Sequence, residues 1–254
     1  MRIIDAHAHL ARGAAASNAL LASMDALGIE RTVVVAGGTI APGLLSDHIE
    51  NGGGTDVDVD NAALYAACED ARFRLLPFYF ANPHRGDVLY AREGAAFVGL
   101  KLAPAVHGIP FNDERTEALV AQAEELGHPI YLHCLPRAGF TVKDFAFLAS
   151  EYPRVRFILG HAGVGTCDFG AVERIRPLEN VWFEMSGGFT SVCKAAVRAL
   201  GADRVLFGTE YPLQDPRVEL AKLDTLELTD HEWERITRTN ILELVDMERL
   251  RCAA

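Results

Sequence analysis

Short apolar, β-branched runs alternate with longer stretches of helical spacing along the whole chain. Eight runs read as strands, at residues 2–7, 31–36, 74–80, 97–102, 129–133, 155–159, 181–185 and 204–207. Helical patterns fill the gaps at 17–27, 61–71, 113–126, 142–151, 169–175 and 191–200, with a shorter one near 86–93. Two more, 215–223 and 230–246, follow the eighth strand. Helix starts are legible as well: Asn112 or Asp113 can cap the helix that runs to Leu126, and Thr229 with Glu232 forms a capping-box pattern.

Strands alternating with helices predict a parallel sheet of the α/β class, and eight is the number that closes a (β/α)8, or TIM, barrel. An open doubly wound sheet is the rival arrangement. It is weakened because no Gly-x-Gly-x-x-Gly sits at a strand-to-helix turn. The expectation is one domain over residues 1–254, with room for a distorted barrel. Segment 37–60 breaks the rhythm, since it contains Gly52-Gly53-Gly54 and few apolar residues. As the second strand-to-helix loop it lies on the catalytic face of a barrel, either as a mobile cover or as a surface insertion.

Composition narrows the function classes. Half of the 254 residues are hydrophobic and 23% are charged, which is ordinary for a globular chain. The net charge of −11 with scattered acidic residues argues against a nucleic-acid partner, which needs a basic face. No run approaches the ~20 apolar residues that span a bilayer, so no membrane partner is expected. The five cysteines, Cys68, Cys134, Cys167, Cys193 and Cys252, form no Cys-x-x-Cys pair. Reduced thiols in a cytoplasm are the simplest reading, and no secretory signal opens the chain. A small-molecule substrate is expected, and a homo-oligomer stays open.

The chemistry begins at Ile3-Ile4-Asp5-Ala6-His7-Ala8-His9. A strand repeats every two residues, so His7 and His9 point the same way, and two neutral imidazoles suit a Zn²⁺-class ion. Active sites of these barrels lie at the C-terminal ends of the strands. Further candidates stand at those ends: Lys101 on the fourth strand, His133 on the fifth, His161 on the sixth and Glu210 just after the eighth. Alternation puts Tyr131 on the face of His133, and Phe157 and Leu159 on the face of His161. Asp5 shares the face of His7, deeper in the barrel. Arg137 and Trp182 are candidate substrate contacts. His48, His84, His128 and His231 read as surface or loop residues, and Cys134 as a buried apolar thiol.

These segments, together with Val98-Gly99-Leu100-Lys101-Leu102, Leu159-Gly160-His161-Ala162-Gly163 and Phe207-Gly208-Thr209-Glu210-Tyr211-Pro212, resemble the amidohydrolase superfamily. The resemblance is to its amidohydrolase-2 branch of metal-dependent barrel hydrolases and decarboxylases. It spans nearly the whole chain, down to a closing Thr239-Asn240-Ile241-Leu242. It implies one or two divalent metal ions, Zn²⁺ first and Mn²⁺ second. The ligands it implies are His7, His9 and His133, with Glu210, and with Lys101 if carboxylated. It assigns His161 either to a second metal or to a hydrogen bond with the reacting water. It implies catalytic roles for Glu210, His161 and Lys101, the last as a carboxylated bridge or as a cation for an anionic substrate. Two departures stand out. Ala103 replaces a histidine frequent in relatives, with His107 a nearby substitute. Glu210 replaces the usual aspartate and reaches about one C–C bond, roughly 1.5 Å, further. A misplacement of about that size can cost about 10²-fold in rate. The backbone is adjusted to the longer side chain, or the chemistry differs, or the site has lapsed. The expected activity is hydrolysis of a lactone, ester or amide. Nonoxidative decarboxylation of a small aromatic acid and a degenerate, non-catalytic barrel are the alternatives.

Overall fold

The computed structural model describes residues 2–252, with side chains through residue 250. Its strands are β1 (Ile3–Leu10), β2 (Ile29–Ala36), β3 (Leu75–Pro77), β4 (Tyr79–Phe80), β5 (Leu100–Leu102), β6 (Ile130–Leu132), β7 (Phe157–Leu159), β8 (Val181–Glu184) and β9 (Val205–Leu206). All pairings are parallel, in the orders β1-β2-β3 and β4-β5-β6-β7-β8-β9. β3 and β4 are two halves of the predicted third strand. The Phe78 N–H donates to Val34 C=O on one side, and the Tyr79 N–H to Gly99 C=O on the other. The strand thus passes its pairing from one neighbour to the next at Phe78, and eight strands result.

The ring closes between the first and last strands. Ala6 N–H donates to Phe207 C=O at 2.8 Å, and His9 N–H to Tyr211 C=O at 2.6 Å, while Ala8 and Tyr211 form a parallel bridge. The expected α/β barrel is the observed architecture. One apolar cluster lies between the strands and the outer helices, with Leu100, Ile130, Leu132, Phe157 and Leu159 against Leu119, Val120 and Phe145. A second fills the interior and its floor, with Ile4, Ala6, Val33, Val35, Phe78, Tyr131, Ile158 and Leu206 above Ile241 and Leu244.

The helices fall where the patterns place them. Asp113 caps Glu114–Leu126, accepting from Arg115 N–H, and Thr141 makes a capping box with Asp144 at Val142–Glu151. Thr229 and Glu232 form the second capping box. The final predicted helix is broken into Asp230–Glu234, a wide turn at Arg235–Thr239, and Asn240–Leu244. Asn240 Nδ2 there donates to Ala202 and Val205 C=O, tying the last helix under β9. Segment 37–60 contains an unpredicted helix, Pro42–Asn51, with proline in its first turn.

Candidate metal centre at the strand ends

The barrel brings the expected residues to one end of its interior. His7 and His9 come from β1, Lys101 from β5, His133 from just after β6, and His161 from just after β7. Glu210 follows β9. Its carboxylate lies 3.2 Å from His7 Nε2, 3.3 Å from His9 Nε2 and 3.2 Å from His161 Nδ1. The His133 and His161 ring centres are 4.7 Å apart. Lys101 Nζ sits 4.0 Å from the centre of the Tyr131 ring, and that ring stacks on His7 at 4.0 Å.

Simple alternation explains part of this placement. Tyr131 lies in the interior cluster while Ile130 and Leu132 face the helices, so His133 and Lys101 point inward as expected. His161 does not follow the rule. Phe157 and Leu159 face outward, with Phe157 packed on Phe145, and Ile158 faces in. The expectation that Phe157 and Leu159 share the face of His161 is therefore wrong. His161 turns inward because it and Ala162 adopt left-handed φ values of 57° and 56°. β1 also departs from regular pairing, with a register shift between Asp5 and Ala8 beneath His7.

Glu210 itself has φ 57°, and its N–H donates to His7 C=O at 3.0 Å. The longer side chain brings its carboxylate to within 3.2–3.3 Å of His7, His9 and His161. Asp5 supports this corner. Its carboxylate accepts from His7 N–H, Thr209 N–H and Thr209 Oγ1–H at 2.6–3.0 Å. Burial pushes the Asp5 carboxyl up to about 8, against the pull of those hydrogen bonds.

Burial dominates the protonation of the cluster. It pushes His7 down to about 3 and His133 down to about 4, and holds His161 well below the usual imidazole value. Neutral imidazoles are the form that ligates metal. Lys101 is lowered to about 8 by burial, opposed by the charges of Glu210 and Glu184. Burial would raise Glu210, but the surrounding His161, His9 and His7 outweigh it and hold the carboxyl well below its ordinary range.

The donor set fits a divalent ion. Two ligand atoms each 2.0–2.1 Å from a tetrahedral ion lie about 3.3 Å apart, which matches the three nitrogen–oxygen separations around Glu210. His7 Nε2 and Glu210 Oε2 are buried, yet neither makes a hydrogen bond despite their closeness. His7, His161 and Glu210 offer ligand atoms all within 4.8 Å of one another.

Sequence reasoning missed Glu184 and Ser186. Glu184 ends β8, fully buried, where its Oε2 accepts from Tyr131 Oη–H at 2.6 Å, Ser186 Oγ–H at 2.8 Å and His161 N–H at 3.1 Å. Ser186 N–H donates to Oε1 at 2.7 Å. The signal was present: one carboxylate at the end of the apolar run Val181-Trp182-Phe183.

Several secondary expectations fail. His48 and His128 are buried rather than surface residues. His48 Nδ1–H donates to Ala105 C=O at 2.9 Å, and His128 packs under Tyr90. His107 does not substitute for the histidine absent at Ala103, because its Nε2–H donates to Val57 C=O. Trp182 donates to Asp203 C=O, near the start of β9 and away from the strand ends. Arg137 uses Nη1 to hold His48 C=O at 2.6 Å, while its buried Nη2 has no partner. Cys68, Cys134 and Cys193 are buried free thiols and Cys167 an exposed one; the side chain of Cys252 lies outside the described residues.

A closed parallel barrel with such a cluster at its strand ends defines a class of metal-site barrels. The model of the amidohydrolase family matches residues 4–247, and the chain belongs to that family of enzymes. No curated protein sequence matches it significantly. Among solved structures it is similar to 2,6-dihydroxybenzoate decarboxylase from Rhizobium, at 17% identity, all of both chains and TM-score 0.66. It is similar to 5-carboxyvanillate decarboxylase from Novosphingobium aromaticivorans, complexed with manganese and 4-hydroxy-3-methoxy-5-nitrobenzoic acid. That match has 16% identity over 96% of this chain and 95% of the other, with TM-score 0.68. A protein named "probable 2-pyrone-4,6-dicarboxylic acid hydrolase", from Acinetobacter baumannii, matches at 15% identity over 96% and 99% of the chains, with TM-score 0.66. At these identities the likeness is one of fold. No helix among the described residues is long and apolar enough to cross a membrane.

Proposed function

We propose that the protein is a metal-dependent hydrolase of a small carbonyl substrate, a lactone, ester or amide. The observation that carries this reading is the placement of Glu210: a part-buried carboxylate whose oxygens lie 3.2–3.3 Å from ring nitrogens of three imidazoles. His7, His9, His161 and Glu210 would hold the ion, with His133 beside them. Zn²⁺ suits the nitrogen-rich donor set, and the manganese in a structural neighbour makes Mn²⁺ the second candidate. A divalent ion there, when bound, supplies Lewis acidity toward a carbonyl oxygen and makes water acidic enough to react near neutrality. Glu210 accepts the proton of the attacking water. The Lys101 side chain, buried with its Nζ over the Tyr131 ring, offers a positive charge to the oxyanion or to a carboxylate on the substrate.

Decarboxylation of a small aromatic acid is the second reading, favoured by the decarboxylases among the structural neighbours. It requires a proton delivered to the carbon that loses CO₂. Metal analysis of untagged protein after Zn²⁺ or Mn²⁺ supplementation, followed by a panel of lactones, esters and amides against aromatic acids with CO₂ detection, decides among them. Hydrolysis without CO₂ release, reduced about 10²- to 10⁴-fold in Glu210→Gln, is expected. CO₂ release alone replaces the first reading with the second. Less than one metal equivalent per chain and no turnover on either panel overturn both.

A further inference from the structure

We propose that Glu219 and Lys222 are positioning residues: together they clamp the loop after β8 and so fix the spacing between His161 and Glu210. The inference rests on the metal-site reading above and deepens it. Both residues lie on the helix Pro216–Asp224, three positions apart and hence on one face. Their side chains are only 2% and 9% exposed, and they form an ion pair. The pair grips the backbone of residues 185–188. Glu219 Oε1 accepts from Gly187 N–H at 3.1 Å. Lys222 Nζ donates to Met185 C=O at 2.7 Å and to Gly188 C=O at 3.0 Å.

The clamped loop backs the turn that bears His161. Ser186 Oγ donates to Glu184, which also accepts from His161 N–H, and lies 3.2 Å from His161 Nδ1. Gly188 rests on Ala162, where an added Cβ would come 2.4 Å from the alanine methyl. The helix itself follows directly from Glu210: Leu213 N–H donates to Glu210 C=O at 2.9 Å, and Pro216 opens the helix. One helix thus continues from the Glu210 turn and holds the His161 turn by its inner face, with carboxylate and imidazole 3.2 Å apart between them. Stability alone does not account for the pair. Two buried charges lose their hydration, and apolar side chains of similar volume are often at least as stabilising. Apolar side chains cannot, however, satisfy backbone groups of a loop whose Gly187 is left-handed at φ 68°.

The test removes the grip without leaving a charge buried alone. In Glu219→Gln/Lys222→Met the amide oxygen still accepts from Gly187 N–H, while Met185 and Gly188 C=O lose the ammonium. Lys222→Met alone reads the same loss should the double variant not fold. Asn180→Ala is the matched control, because Asn180 Nδ2 donates to Ala149, Tyr152 and Val155 C=O at 3.0–3.1 Å at the opposite end of β8. Urea unfolding gives the stability of each protein, chelator competition its Zn²⁺ affinity, and the visible spectrum of Co²⁺-loaded protein its ligand geometry. Amide hydrogen exchange is measured on metal-free protein. The clamp variants are expected to lose about 10-fold or more in Zn²⁺ affinity, as when groups that orient metal ligands are removed. Their Co²⁺ spectra should change, and their His161 and Ala162 amides, both bonded to Glu184, should exchange faster relative to Ile158 in β7. Asn180→Ala should lose stability while keeping its Zn²⁺ affinity within about threefold and the wild-type spectrum.

Wild-type affinity and spectrum in a folded clamp variant overturn the proposal. So does an equal loss of affinity in Asn180→Ala. Failure of the metal-site reading looks different: the wild type itself binds no metal, and exchange in metal-free protein then decides the clamp alone, with unchanged His161 and Ala162 amides overturning it. Failure of the hydrolase reading is different again: the expected affinities and spectra, with no turnover of any carbonyl substrate.

Discussion

Backbone geometry at single residues decides what the site can do. Glycines precede both left-handed turns of the cluster, at Gly160 before His161 and at Gly208 two residues before Glu210. A Cβ on Gly160 would collide with the Tyr131 ring, and one on Gly208 with the Glu184 carboxylate. Both glycines are present because a rigid, fully buried side chain occupies the space. Gly160→Ala is therefore expected to lower stability by about 1–3 kcal/mol, the usual cost of overpacking. It should also weaken metal retention by displacing Tyr131 from His7 and His161. Denaturant unfolding with metal analysis on the same preparation checks both effects; wild-type values would show that the ring can move aside. Most of the site was legible at this scale, since period-2 spacing alone places His7 beside His9 and puts Lys101 and His133 inward. His161 was found by its position at a strand end, but its direction comes from a positive φ that no alternation rule contains. Glu184 escaped because a strand residue flanked by Phe183 and Met185 reads as core until its four hydrogen-bond donors are seen.

Elements differ in how much they show in advance. Helices with strong caps and an apolar face, such as Val142–Glu151, match their predicted bounds. The third strand is one apolar run in sequence but two paired segments in space, because its two neighbours diverge around Phe78. Segment 37–60 was the least legible, since its order comes from contacts with other loops. Thr55 N–H donates to Val106 C=O, Arg137 holds His48 C=O, and Asn82 Nδ2 donates to Asp56 C=O, Val57 C=O and Asp58 Oδ1 at 2.8–3.2 Å. Arg85 adds a forked pair with Asp58 at 2.9 and 3.1 Å. The segment is thus strapped to the loops after the third, fourth and fifth strands of the barrel. Asn82→Ala removes three hydrogen bonds of that strap while Arg85 still donates to Asp56 C=O and His107 to Val57 C=O, so the cost is about 0.5–1.5 kcal/mol for each bond lost. Limited proteolysis should then cut within residues 52–58 faster than in the wild type, with global unfolding less affected. Unchanged cleavage would show that the remaining contacts hold the segment by themselves.

At the scale of the whole molecule, the fold depends on closing the ring and sealing its floor. Closure between β1 and the stretch after β9 joins residues about 200 positions apart, which no local pattern encodes; the count of eight strands was the only clue. The floor is sealed by Ile241, Leu244, Val245 and Leu250, and it is pinned at its rim by His128. Tyr90 Oη lies 2.7 Å from His128 Nδ1, and Arg249 Nη1 lies 3.1 Å from Nε2. The guanidinium can only donate, so Nε2 accepts and Nδ1–H faces the tyrosine oxygen. A second proton on this ring would point at a cation. Burial, reinforced by the Arg249 charge, lowers His128 to about 4 from an ordinary 6.5. Between those two values the unfolded chain binds a proton that the folded chain refuses. Stability is therefore undiminished by this group above about pH 6.5, falls as the pH drops toward 4, and levels off below it. The full difference corresponds to about 3 kcal/mol, on the scale of 1.36 kcal/mol per pKa unit. Urea unfolding at a series of pH values from 7.5 to 4 should show this decline, and His128→Gln, which keeps an acceptor for Arg249 but cannot titrate, should flatten part of it. Because His128 precedes β6, among Tyr90 and Arg249, while the metal-site candidate His133 follows that strand, the flattening is expected in metal-free protein as well. Equal slopes in wild type and variant would move the acid sensitivity to other buried histidines, with His107, also lowered to about 4 by burial, the first to examine.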